Sequence, residues 1–189
     1  MRDIKTFVFN VLAGVVFITL IQTPGFAEET GLVRIGPRLG LSGQTFLGKE
    51  QKYNFRLYDV AAVFRLPWAW PLGETGWRIE TRLITSAGAI SGAGETGLMA
   101  TIIPTLALTS TNGTFTLDGG AGPVFFSNYK FGNQNFGGPV QIVATVGVSA
   151  NIFSHGYAGL RLQHFSDAAL YNQSSLGVDM YLIEIGYRF

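Results

Sequence analysis

Residues 76–86 read GWRIETRLITS, in which Trp77, Ile79, Thr81 and Leu83 alternate with Arg78, Glu80 and Arg82. A helix would scatter those three charges around its circumference. A strand collects them on one face and leaves the other face apolar. Seven further runs of about the same length repeat the pattern, over residues 31–41, 53–66, 97–109, 114–126, 139–150, 156–166 and 178–189. In 31–41, Val33, Ile35, Leu39 and Leu41 oppose Arg34 and Arg38. In 53–66, Tyr58, Val60, Ala62, Phe64 and Leu66 oppose Asp59 and Arg65. Strands of ~9–11 residues with one apolar face are what a transmembrane β-barrel needs. The expected fold is therefore all-β, an eight-stranded antiparallel up-and-down transmembrane β-barrel.

The connections support an up-and-down order. Asn112-Gly113 is a strong hairpin signal, and 110–113 and 151–155 read as tight turns. Residues 42–52, 87–96, 127–138 and 167–177 read as longer loops rich in Gly, Asn, Gln and Ser. The link LPWAWPLGE carries Trp68 and Trp70, suited to an interfacial girdle. Pro104 and Pro123 fall inside expected strands, where proline removes a ladder donor. A barrel of eight strands has an interior just filled by side chains. Inward Arg, Glu, Asp and Gln then make a satisfied polar core with no pore, which disfavours a channel.

Alternation alone does not tell inside from outside. A soluble sandwich or lipocalin-like barrel turns the same apolar face inward. The first 27 residues favour the membrane. Arg2 and Lys5 precede the fifteen-residue apolar run Phe7–Ile21, and Gly25-Phe26-Ala27 gives a small-x-small end. This reads as a signal peptide over 1–27, cleaved before Glu28, with the barrel domain over 28–189. Charged residues make up only 13% of the chain, about half the usual share, against 47% hydrophobic. The thirteen basic and twelve acidic residues fall to eleven each once Arg2, Lys5 and Asp3 leave. No basic patch remains to suggest nucleic acid. With no cysteine, disulfides, thiolate metal sites and cysteine nucleophiles are excluded.

Parity singles out one set of polar residues. In 156–166, Arg161 and Gln163 belong inside, so Leu160, Leu162, His164 and Ser166 face lipid. In the last strand the lipid-facing series Tyr187, Ile185, Ile183, Tyr181 continues to Asp179. These strands are neighbours, which places His164, Ser166 and Asp179 together on the outer wall, cross-strand partners ~4.5–5.5 Å apart. With both chain ends periplasmic, the trio sits at the extracellular end. Polar groups there cost free energy and call for a reason. Histidine suits the task of taking a serine's proton near neutral pH, and a carboxylate orients the imidazole. The expected site is a serine esterase aimed at lipid: Ser166 the nucleophile, His164 the base, Asp179 the orienting acid. That mechanism needs no metal and no cofactor. Glu184 is a competing acid, but its parity points inward, and His155 falls in a periplasmic turn as a structural residue.

At His164-Phe165-Ser166, Ala168, Leu170 and Gly177-Val178-Asp179 the chain resembles the outer-membrane lipid A 3-O-deacylases, acyloxyacyl-hydrolase-like eight-stranded barrels. The resemblance implies removal of an ester-linked acyl chain from lipid A of lipopolysaccharide in the outer leaflet. It also implies oxyanion donors in the loop after the serine, where the candidates are the Asn172 side chain and the backbone N–H around Ala169. Two positions depart from the family pattern: Asp167 stands where Asn is usual, and the acid is Asp179 instead of Glu. The loop between Ser166 and Asp179 is one residue longer. The terminal Phe189, after alternating aromatic and aliphatic residues, resembles the assembly signal of bacterial outer-membrane barrels and implies the barrel assembly machinery as a partner. Monomer and homodimer both stay open. The alternative function is a non-catalytic structural or adhesive barrel, which Asp167 would favour.

Overall fold

A computed structural model describes residues 26–27, 29–43, 51–168, 170–171 and 177–189. Eight long strands carry the fold: β1 Gly31–Ser42, β2 Arg56–Pro71, β3 Arg78–Gly92, β4 Glu95–Thr109, β5 Phe115–Phe126, β6 Val140–Asn151, β7 Gly156–Ser166 and β8 Val178–Arg188. Each pairs antiparallel with its sequence neighbours, and β8 pairs with β1, so the sheet closes on itself. Closure satisfies every edge, the condition for a sheet in hydrocarbon. Phe26–Ala27 pairs with Trp68–Ala69 of β2. Among the described residues no helix is long and apolar enough to cross a membrane.

Burial follows the sequence period. Along β6 the pattern alternates from exposed Val140 to buried Ser149 without a break. Leu39, Leu41, Val60, Leu98, Leu117, Leu160, Ile183 and Ile185 all stand half or more exposed on the outer face. The charged faces point inward: Arg34, Arg38, Asp59, Glu80, Arg82, Asp118, Arg161 and Glu184 are all buried.

Three expectations change. Residues 87–96 are not a long loop. Here β3 runs to Gly92 and β4 starts at Glu95, leaving only Ala93-Gly94, both left-handed (φ 52° and 79°). That is the hairpin conformation that follows strand twist. The alanines and glycines of this stretch stay on the ladder, Asp59 opposite Gly88 through Arg56 opposite Ser91; their composition imitates a loop. One tight turn thus joins the longer 43–55, 127–139 and 167–177 connections at the same end of the barrel. Secondly, β2 continues through LPWAWP to Pro71, so the link shrinks to 72–77. The ladder with β3 absorbs Pro67 by an irregularity between Arg65 and Ala69, where a missing N–H does least harm. Pro104 and Pro123 are absorbed differently. The β4–β5 partners stop at Thr101–Val124 and resume at Thr105–Gly120 in unchanged register, so both prolines share one gap.

Thirdly, the ion pairs of the interior fill its middle and the end with the short turns. There Arg38 makes a fork on Asp59 (2.8 and 2.5 Å). Arg161 bridges Asp118 (2.7 and 3.0 Å) and Glu184 (2.5 Å). Glu80 binds Arg82 and the Thr109 hydroxyl, with Arg78 3.4 Å away. Arg34 donates to Ser149 and lies over the Tyr157 ring. Toward the other end the core is mainly apolar, with Gln134, Gln141 and Gln163 buried in it. Phe55, Phe131 and Phe136, from the connecting loops, meet at 5.4–5.5 Å between ring centroids. Phe126, Phe165, Val178, Met180 and Leu182 complete the cluster.

Candidate active site

The site is built by the β7–β8 ladder. His164 is paired directly with Asp179, one step above Leu162 and Tyr181. Both side chains leave the outer face, and His164 Nδ1 lies 2.5 Å from Asp179 Oδ1. Asp179 is 1% exposed and the His164 side chain 16%. A buried carboxylate on Nδ1 fixes the ring orientation and leaves Nε2 for another partner. Ser166 follows at i+2 on the same face, half-buried, opposite Ile142 of β6. Between them Phe165 turns inward against Phe126 at 5.8 Å, rooting the strand in the apolar core. Gly177 completes the setting. A Cβ there would come within 2.9 Å of His164 Cε1 and of the Phe165 carbonyl oxygen. A glycine here makes room for both the imidazole and the neighbouring strand's carbonyl.

The chain after Ser166 turns sharply. Ala168 is left-handed (φ 46°), and the Leu170 N–H donates to the Asp167 carbonyl at 2.8 Å. Asp167 is buried against Gly137. The Tyr171 ring lies flat on Gly138, and its hydroxyl accepts the Val140 N–H at 3.2 Å. The serine's loop is therefore docked on the β5–β6 loop, a link the sequence does not announce. Ala169 and Asn172 lie outside the described residues.

An apolar groove of about 460 Å³ runs along the outer wall beside the site, lined by Leu41, Val146, Leu160, Leu162, Tyr181 and Ile183 among others. Glu184 faces inward and is held by Arg161, so it is unavailable to His164. His155 sits in the β6–β7 turn, where it contacts the Arg188 carbonyl and stacks on Tyr187. Among the described residues no group of His, Asp or Glu is arranged to hold a metal ion.

A closed eight-stranded barrel with an apolar outer wall and a charged interior defines a class, the membrane-embedded β-barrels. Residues 56–188 match the family model described as "Lipid A 3-O-deacylase (PagL)". The chain belongs to that family of ester-hydrolysing, outer-membrane enzymes. Among solved structures it is similar to one described as the outer membrane enzyme PagL, at 17% identity and a TM-score of 0.67, over 82% of this chain and 99% of that one. No curated protein matches the sequence.

Proposed function

We propose that this chain hydrolyses an ester-linked acyl chain of lipid A, from the outer leaflet, by serine catalysis. The observation that carries this reading is the His164–Asp179 contact on the outer face, one i+2 step from Ser166. The Ser166 hydroxyl gives its proton to His164 Nε2 as Oγ attacks the acyl carbonyl. Asp179 stabilises the imidazolium. The imidazolium then returns the proton to the sugar oxygen as the C–O bond breaks, leaving the acyl group on Ser166. Water, deprotonated by the same imidazole, releases the fatty acid. The groove beside the site supplies apolar wall for the acyl chain, and the oxyanion donors are assigned to the loop after Ser166. In the same reading residues 1–27 leave as a signal peptide, and Phe189 presents the mature chain to the assembly machinery.

The test compares wild type with Ser166→Ala in a host whose lipid A carries the ester. Mass spectrometry of extracted lipid A should show loss of one acyl chain with wild type and none with Ser166→Ala. Identical profiles would sink the reading. Asp167 favours a second one, a barrel that kept the shape without the chemistry. A lipophilic fluorophosphonate separates the two, because an unactivated serine does not label.

A further inference from the structure

The outer face holds one more ionisable group. Across the outward positions of all eight strands, the Arg, Lys, His, Asp and Glu residues number three: His164, Asp179 and Arg56. Arg56 opens β2, shares the outward parity of Tyr58 and Val60, and is exposed. Among the described residues no side-chain hydrogen bond or ion pair reaches it. All three groups lie at the same end of the barrel. The ladder also aligns them: Leu162 is opposite Tyr181, Tyr181 opposite Leu41, and Leu41 opposite Arg56. From β7 to β2 is three strand spacings, about 14 Å, and the long arginine stem closes part of that distance. An arginine on a lipid-facing wall costs free energy that falls toward the interface and is offset by an anionic partner. Every inward arginine on β1, β3 and β7 has hydrogen-bonding or ionic partners within the chain. The exposed Arg56 contributes nothing comparable to the fold.

We propose that Arg56 binds a phosphate of the substrate glycolipid and sets its register on the outer wall, so that the ester falls at Ser166. This rests on the deacylase reading and gives it a recognition residue. The guanidinium fork matches phosphate oxygens two at a time. The sugar headgroup spans the gap over Tyr181 and Leu41, while the acyl chains lie along the groove those two residues help to line. Arg56 is a binding residue, placed to act on KM and not on the chemical step.

The experiment uses purified full-length protein in neutral-detergent micelles, with bisphosphorylated lipid A and its phosphate-free counterpart as substrates. Arg56→Gln should raise KM for the phosphorylated lipid roughly ten-fold, with kcat unchanged and the phosphate-free lipid unaffected. Arg56→Lys, a point charge without the fork, should recover part of the loss. An unchanged KM, or an equal rise on both lipids, would overturn the proposal. Binding of the same lipids to Ser166→Ala, with and without Arg56→Gln, reads the contact without turnover. Phosphate-dependent binding through Arg56 in a wild-type chain that hydrolyses nothing would overturn the deacylase reading alone. Hydrolysis with phosphate-indifferent binding would overturn the role of Arg56 alone.

Discussion

The inner and outer walls of this barrel treat charge in opposite ways. Inside, Asp59, Asp118, Glu80 and Glu184 each meet an arginine, and the arginines are shared and cross-braced by Thr109, Thr116, Thr145 and Ser149. Outside, three ionisable groups stand in an apolar field, two of them in contact with each other. The inner set fills a closed lumen and holds eight strands in register. The outer set closes no gap and braces no strand that the ladder does not already fix. Dense, redundant charge is a structural device here, and the sparse charge outside is what the proposed chemistry draws on.

The contrast can be broken from either wall. The largest effect is expected outside, from Asp179→Asn. Loss of the carboxylate that orients the imidazole should lower kcat by about 10³–10⁴-fold, while urea unfolding of the barrel in liposomes stays within about 1 kcal/mol of wild type. Inside, Arg161→Met leaves Asp118 buried without its cation and Glu184 with only the longer contact to Arg38, at 3.7 Å. Stability should fall by about 3–5 kcal/mol, read in the same unfolding experiment, with turnover per folded molecule retained. If Arg161→Met abolished turnover in fully folded protein, the two walls would not be separate in function. A smaller effect sharpens the outer wall. Gly177→Ala puts a methyl group against His164 Cε1, and a displacement of that size should cost about 10²-fold in kcat. Fluorophosphonate labelling of Ser166 should slow in step.

Much of this was legible because a strand sorts residues with a period of two. That period put Arg34, Arg38, Glu80 and Arg82 on one face and His164, Ser166 and Asp179 on the other; the N-terminal apolar run and the low charge turned the first face inward, and the ladder register set His164 opposite Asp179. The same rule reaches Arg56, two residues before Tyr58, but a polar residue at a strand's first position looks like the end of a loop. Composition misled where it imitated flexibility. The small residues of 87–96 continue two paired strands, and LPWAWP extends β2 past Pro67 as far as Pro71. Part of the apolar half of the interior had no periodic signal, because Phe131 and Phe136 come from a loop and Phe55 precedes β2, although Leu57, Met99, Phe165 and Met180 sit at inward strand positions. The Tyr171 seat on Gly138 was equally hidden, since contacts between two loops leave no repeat in either.

The aromatic stopper made by Phe55, Phe131 and Phe136, above a lumen crossed by arginine bridges, has a consequence for the cell envelope. A barrel filled this way offers ions, antibiotics and detergents no passage. Copies of it can be added to the outer membrane to remodel its lipid without opening a leak in the barrier they modify. With the site on the outer wall, as proposed, water for the hydrolysis arrives along the membrane surface and not through the filled centre of the protein.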